Sequence, residues 1–454
     1  MQEEVIAAIS TPAGIGAVGM VRLSGAGSHR VAARIFRPYD EKITPTRMKG
    51  YRAALGKVYD SDGPVDEVVA IFYRSPKSYT GEDMVELCCH GGAYAVQRVL
   101  RLCFDAGARP AQAGEFTKRA FLGGKMDLSR AEAVMDIVSA QGRGAMRAAL
   151  SAKDGALSRE IDTLAGELTT WCGHIAAWTD YPEEDLLPVD EAALARDLRR
   201  LLERMNELLA GYDRGRMLRR GVSAAIVGRP NVGKSTLMNL LAGADLSIVT
   251  PLPGTTRDVV RESVTIAGLS VNLLDTAGIR DTGDLAEQEG VARSKAAIEQ
   301  ADLILAVLDS SEPLQKNDRE LLALAGGKNI IAVLNKTDLP VLVDEAELPQ
   351  LTAVRISAAT GEGRDDLERA VLKALALENI DPGGAIIANE RQRLCLKSAA
   401  DCLSEALEAM DGGVTLDAVC VCLEAALEHL LTLSGKRVSQ AVVDEVFASF
   451  CVGK

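Results

Sequence analysis

No apolar run in this 454-residue sequence approaches the roughly 20 residues that a membrane-spanning helix requires. The start, Met1-Gln2-Glu3-Glu4, lacks the basic opening and apolar core of a signal peptide, so the expectation is a cytoplasmic protein with no membrane partner. Positive charge is also short. Lys and Arg total 51 against 64 Asp and Glu, a net charge of −13, which leaves no global basic field to drive non-specific nucleic-acid binding. Any RNA contact must use a local patch. The nine cysteines are an odd number with no paired Cys-x-x-Cys spacing, which favours reduced, buried thiols over disulfides or zinc ligands. Cys88-Cys89-His90 has ligand-type residues, but adjacent positions on a strand point to opposite faces, so no metal is expected there.

What is present is an ordinary soluble composition and enough length for two to four domains. Residues 1–118 are rich in glycine and short β-branched runs, such as Ala17 to Val21 and Val65 to Tyr73, and read as an α+β domain. The texture then changes to Ala/Leu/Arg/Glu stretches with helical spacing, Leu128 to Leu150, Leu157 to Trp178 and Glu191 to Leu218, which read as bundle helices over 119–218. An α/β nucleotide domain fills 219–380, and bundle texture returns over 381–454 after the linker Asp381-Pro382-Gly383-Gly384. The expected fold class is therefore α/β and all-α multidomain: a mixed, mostly parallel sheet with flanking helices, inserted into a helical bundle. Insertion succeeds where both ends of the inserted domain lie close together at a surface.

The nucleotide domain carries the chemistry. Gly228-Arg229-Pro230-Asn231-Val232-Gly233-Lys234-Ser235 lies between an apolar strand, Ala224 to Val227, and a helix from Thr236, where backbone N–H groups can wrap a phosphate. Lys234 would reach the β- and γ-phosphates and serve catalysis, and Ser235 would hold Mg²⁺. Asn231, Val232, Gly233 and Thr236 complete this set of expected GTP contacts. Asp275-Thr276-Ala277-Gly278 follows the apolar run Val271 to Leu274 and places a Mg²⁺-side carboxylate and a γ-phosphate-sensing glycine at a strand end. Asn335-Lys336-Thr337-Asp338 closes the strand Ile330 to Leu334; Asp338 can accept both the ring N–H and the amine of guanine, a donor pair adenine lacks. Ser357-Ala358-Ala359 supplies a backbone N–H for the guanine carbonyl.

Between the first two motifs, Thr250-Pro251-Leu252-Pro253-Gly254-Thr255-Thr256 is expected against the nucleotide, with Thr256 completing the Mg²⁺ shell. Ile279 follows Gly278, where Ras-type GTPases place a glutamine to orient water. Another carboxylate or amide must do that work, and the acidic stretch Asp281, Asp284, Glu287 and Glu289 is the nearest supply. Arg257 and Arg280 are open as charge-neutralising fingers.

Together these residues resemble the tRNA-modification GTPase family MnmE, also called TrmE, over essentially the full length. The most specific tokens lie outside the GTPase motifs: Ser78-Tyr79-Thr80-Gly81-Glu82-Asp83-Met84-Val85-Glu86 followed by His90-Gly91-Gly92, the segment Pro110 to Lys125, and the terminal Cys451-Val452-Gly453-Lys454. The resemblance implies an N-terminal domain that binds 5-formyl- or 5,10-methylenetetrahydrofolate and dimerises, and a Ras-like GTPase domain that pairs with its copy as it fires. It implies a homodimer acting with the FAD-dependent partner MnmG (GidA), in a heterotetramer or larger complex, on the 5-carbon of the wobble uridine of tRNA. Arg22, Glu86, Lys125 and Lys454 fall where the family contacts folate, and Glu287 where it orients water. The family's K⁺ ligands fall on Asn231, Thr250, Leu252 and Thr255, where amide and carbonyl oxygens suit a large monovalent cation. Cys451 is placed as either a nucleophile toward uracil or an inert thiol. Ala13 and Ala17 stand where the family usually shows proline and glycine, and Val452 replaces the commoner isoleucine or leucine, without removing a functional group. A ribosome-assembly GTPase and a folate-dependent aminomethyltransferase with an idle GTPase are the competing readings.

Overall fold

The computed structural model describes residues 4–180, 188–243, 263–274, 297–324, 328–348, 351–378 and 381–454. The chain divides into two compact units, residues 1–135 with 428–454, and residues 136–427.

The first unit is built on a seven-stranded sheet. Its elements in chain order are β1 (Ile6–Ile9), β2 (Val18–Ser24), α1 (Ser28–Ile35), β3 (Phe36–Pro38), β4 (Arg52–Asp60), β5 (Gly63–Tyr73), β6 (Met84–His90), α2 (Ala93–Asp105), β7 (Arg109–Pro110) and α3 (Glu115–Leu122). The order across the sheet is β3-β4-β5-β6-β2-β1-β7, antiparallel except for β1 with β7. Alternation decides the faces: Val21, Leu23, Val85, Leu87 and Cys89 point into a core closed by Val31 and Ile35 of α1 and Val99 and Cys103 of α2. Cys88, one step out of phase, is half-buried, and His90 is exposed and hydrogen-bonds Asp66. The helix α4 (Leu128–Ser139) begins in this unit.

In the second unit, α5 (Arg143–Lys153), α6 (Ala156–Asp180), α7 (Glu191–Ala210) and α8 (Tyr212–Arg220) precede the nucleotide sheet. Two stretches that read as continuous helices are each broken. Leu128 to Leu150 divides into α4 and α5 at the extended Gly142, and Glu191 to Leu218 divides at Gly211, which caps α7 and starts α8. Helical spacing continues through both breaks, so periodicity alone does not reveal them. The sheet follows with β8 (Val222–Val227), α9 (Lys234–Ala242), β9 (Ser263–Ile266), β10 (Leu269–Leu274), β11 (Leu303–Asp309), α10 (Lys316–Leu324), β12 (Ile330–Asn335), β13 (Thr352–Arg355) and α11 (Arg364–Ala374). Its order is β13-β12-β11-β8-β10-β9, parallel except for the β9–β10 hairpin. β11 is buried along its whole length, as a central parallel strand covered on both faces must be.

After the linker turn, where Asp381 Oδ1 accepts the Gly383 N–H, α12 (Glu390–Asp411) packs along α7. Both helices start on a side-chain cap, Asp190 to Ala193 N–H and Asn389 to Gln392 N–H. The buried face of α7 is the i, i+3, i+4 set Leu194, Leu198, Leu201 and Met205, and α12 buries Leu396, Ala399 and Leu403. α13 (Leu416–Ser434) leads back to the first unit, where α14 (Gln440–Ala448) packs Val443 and Phe447 against Leu128, Ala131 and Val134. Among the described residues no helix is long and apolar enough to cross a membrane.

Candidate functional site

The phosphate loop leaves β8 at Val227 and enters α9 at Lys234. Its path needs left-handed backbone at Asn231 (φ 63°) and Gly233 (φ 97°). A Cβ on Gly228 would lie 2.4 Å from the Val307 carbonyl oxygen, and one on Gly233 would lie 2.2 Å from Asn335 Nδ2, so neither glycine is replaceable. α9 has no side-chain cap, which leaves its first-turn N–H groups and positive end for an anion. Lys234 Nζ donates to the carbonyls of Gly228 and Arg229, both at 2.7 Å, curling over the loop. Burial pulls its pKa down from the usual lysine range. Ser235 and Thr236 are exposed on the same turn.

The segments expected to recognise the base meet this loop through Asn335. Asn335, 2% exposed, donates from Nδ2 to the Val232 carbonyl (2.8 Å) and accepts at Oδ1 from the Ala358 N–H (2.9 Å). Asp338 is exposed and held by the Ser357 hydroxyl, which donates to Oδ1 at 2.7 Å. Lys336 takes left-handed backbone (φ 68°) and pairs with Asp309 at 2.5 Å. Burial raises the Asp309 pKa, but the Lys336 ammonium and the Ser311 hydroxyl and N–H outweigh it and hold the carboxyl below the usual range. Sequence reasoning missed the anchor on the loop's outer side, where Arg229 Nε donates to both oxygens of Asp318 (2.8 and 3.0 Å), itself 2% exposed. No local signal marks that pair, which is 89 positions apart. The expected sites Thr250 to Thr256, Asp275 to Gly278 and Glu287 lie outside the described residues, as do Arg257, Ile279, Arg280, Asp281, Asp284 and Glu289.

A second polar site lies in the first unit. Arg22 on β2 and Glu86 on β6 are cross-strand partners in register, so their side chains share a face. Arg22 Nε and Nη2 donate to Glu86 Oε1 at 2.9 and 2.8 Å, and the Tyr73 hydroxyl donates to Oε2 at 2.9 Å. Burial, then the Glu86 charge, push the Tyr73 pKa up to about 12. The Arg22 guanidinium also lies 5.4 Å from the Tyr79 ring centre and 5.6 Å from that of Phe116.

The C-terminal tail is part of this site. The Gly114 N–H donates to the Cys451 carbonyl (3.3 Å) and the Phe116 N–H to the Lys454 carbonyl (3.1 Å). The Gly453 carbonyl accepts from Arg22 Nη1 (3.3 Å) and the Ser10 hydroxyl (3.1 Å). Gly453 has φ 97°, and a Cβ there would lie 2.4 Å from the Ile9 carbonyl oxygen. The fold thus joins Arg22, Glu86 and the tail carrying Lys454, with the Cys451 thiol exposed. Lys125 sits on a separate loop, donating from Nζ to the Pro76 carbonyl at 3.0 Å. Tyr73, Tyr79 and Phe116 were missed as site residues, although Tyr79 and Phe116 lie inside the segments that carry the family resemblance.

Two family models match the chain: the GTP-binding protein TrmE N-terminus over residues 5–125 and the MnmE helical domain over 128–451. Proteins named tRNA modification GTPase MnmE align with it nearly end to end. That of Thermoanaerobacter pseudethanolicus is 39% identical over 99% of both chains. That of Thermotoga maritima is 40% identical over 99% of this chain and 100% of its own, and that of Lactiplantibacillus plantarum 40% identical over 99% and 98%. Among solved structures, Era bound to MgGDPNP and nucleotides 1506–1542 of 16S ribosomal RNA is 32% identical, covering 40% of this chain and 66% of its own, with a TM-score of 0.28. The G domain of the Thermotoga maritima FeoB iron transporter is 27% identical over 34% of this chain and 98% of its own, with a TM-score of 0.25. With both family models matched in order and relatives 37–40% identical over their full length, the chain belongs to the MnmE family of tRNA modification GTPases.

Proposed function

We infer that this GTPase of tRNA modification is activated by K⁺ and acts, as a homodimer with an MnmG-type FAD-dependent partner, on the 5-carbon of a wobble uridine in tRNA. The product would carry an aminomethyl or carboxymethylaminomethyl group. The residue division proposed for this work is 1–118 for folate binding and dimerisation, 219–380 for GTP, and 119–218 with 381–454 for the helical domain. A bound 5-formyl- or 5,10-methylenetetrahydrofolate supplies the one-carbon unit.

The chemistry of the residues at both sites supports this reading. The phosphate loop offers a Cβ-free cradle with Lys234 at its mouth, and Ser235 would take Mg²⁺ with Thr256. Asn231 would take K⁺ with Thr250, Leu252 and Thr255, and Glu287 would orient water. In the first unit, Arg22, Lys125 and Lys454 supply positive charge for a folate glutamate tail, and the Glu86 carboxylate accepts from pterin N–H groups. The observation that supports the nucleotide part of the reading is the Asn335 bridge, which joins the phosphate loop to the segments proposed to recognise guanine.

The test is GTP turnover in matched K⁺ and Na⁺ buffers at equal ionic strength. An arginine finger is worth about 10³ to 10⁵ in rate, and a cation in its place should produce a large K⁺-specific stimulation. Asn231→Ala should abolish that stimulation. Equal rates in both salts would overturn the K⁺ reading and return Arg257 and Arg280 to consideration.

A further inference from the structure

The β9–β10 hairpin is joined at a two-residue turn, Ala267-Gly268, with φ of 53° and 78°. Two successive positive φ angles define the tight turn whose twist matches that of the strands, so the hairpin is a stiff two-stranded unit. β10 is hydrogen-bonded in parallel to β8 from Val271 opposite Val222 to Leu274 opposite Ala225. Its six residues span about 20 Å, from the turn to the strand end beside the phosphate loop. Both hairpin strands continue, at the end opposite the turn, into the segments to which sequence analysis assigns nucleotide sensing, with Thr256 before β9 and Asp275 to Gly278 after β10.

The turn end rests on the helical part of the same compact unit. The Gly268 carbonyl accepts the Gly144 N–H at 3.4 Å, at the start of α5. A Cβ on Gly142 would lie 2.5 Å from that same carbonyl oxygen, so the break between α4 and α5 is a seat without side chains into which the turn fits. Beside it, the Ser270 hydroxyl donates to Gln141 Oε1 at 2.9 Å. α8 closes the other side: Leu218 packs in one core with Val264, Ile266, Leu269 and Val271, and Asn272 Nδ2 donates to the Arg220 carbonyl at 3.4 Å. A Cβ on Gly221 would lie 2.6 Å from the Ser270 carbonyl oxygen. α8 in turn is tied to α4 by the Arg219–Asp136 ion pair.

We propose that the β9–β10 hairpin is the lever that carries nucleotide state to the helical domain, read at its turn by α5 through the Gly142–Gly144 seat. The hairpin is held from both sides, by Gly144 and Gln141 on one and by Leu218 and Arg220 on the other. A displacement of the phosphate end along β8 must therefore either shift the start of α5 or unseat the turn, since packed interfaces change between discrete arrangements. This device stands on the GTPase assignment alone and requires neither folate nor K⁺.

The experiment is hydrogen exchange of the full-length protein, GDP-bound against bound to a non-hydrolysable GTP analogue. Peptides over 228–236 report occupancy, and peptides over 139–150 report the seat. In the wild type, exchange over 139–150 should differ several-fold between the two states. In Gly142→Ala, whose added methyl displaces the turn, that difference should vanish while protection over 228–236 persists. The milder Gln141→Ala, which removes only the Ser270 hydrogen bond, should reduce the difference at least twofold and serves if Gly142→Ala does not fold. The proposal is overturned if 228–236 responds to nucleotide and 139–150 does not, or if the response over 139–150 survives both substitutions.

Discussion

Single side chains do more joining in this molecule than their sequence positions suggest. Tyr73 ends β5 and by pattern is one more strand aromatic, yet its hydroxyl is the second donor on Glu86. Its pKa is raised to about 12, so the folded state binds this proton more tightly than the unfolded chain, where tyrosine titrates near 10. The contribution to stability is fully present below pH 10 and is lost as pH rises through about 12. Urea midpoints at pH 9, 10 and 11 should therefore fall more steeply for the wild type than for Tyr73→Phe. Tyr79, also raised by burial, is common to both proteins and cancels in the comparison. Parallel midpoint curves would remove Tyr73 from the Glu86 site.

At the level of elements, the strand–loop–helix carrying the phosphate loop was legible because its signals are local. An apolar run, glycines at fixed offsets and a helix-forming run lie within 20 residues, and the structure gives β8, the loop and α9 in that order. What was not legible depends on distant partners. Gly453 needs its conformation because the tail runs past Ile9, and the Arg22 bond to it spans 431 positions. The helix breaks at Gly142 and Gly211 were hidden because an isolated glycine is tolerated in a helical pattern, and only packing shows which ones end it. Gly233 tests this distinction. Gly233→Ala adds the strain of a left-handed non-glycine residue, about 1–3 kcal/mol, and also drives a methyl into Asn335 Nδ2. Gly124→Ala adds comparable strain (φ 70°) with nothing within 4 Å of the new methyl. In labelled-GDP titrations, Gly233→Ala should lose at least about 100-fold in affinity, the size of a broken buried hydrogen-bond pair. Gly124→Ala should bind as the wild type does. Wild-type affinity in Gly233→Ala would mean that the Asn335 contact does not govern the loop.

At the scale of the whole molecule, the two candidate sites fall in different compact units: the nucleotide loop within 136–427, and Arg22, Glu86 and the tail within 1–135 and 428–454. Each unit closes its own core, one around Val21, Leu23 and Val85, the other around Val222, Leu237 and Val271. Binding at each site should therefore be separable even though the proposed wobble modification would use both. Lys234→Ala removes the charge over the phosphate loop and should abolish GTP binding, while titration with 5-formyltetrahydrofolate gives the wild-type dissociation constant. Arg22→Ala breaks the Glu86 pair, leaves a buried carboxylate without its cation, and leaves the Gly453 carbonyl with the Ser10 hydroxyl as its donor. It should weaken folate binding by at least tenfold, since a hydrogen-bonded buried charge is worth about 1.5–3 kcal/mol, and leave GTP turnover within twofold of wild type. Either variant alone should stop modification of tRNA in the presence of the partner. If Arg22→Ala instead lowered GTP turnover with folate binding intact, the first unit would be acting on the nucleotide site rather than holding a second ligand. The aminomethyltransferase alternative fails if Lys234→Ala blocks product formation, because in that reading the nucleotide site is idle.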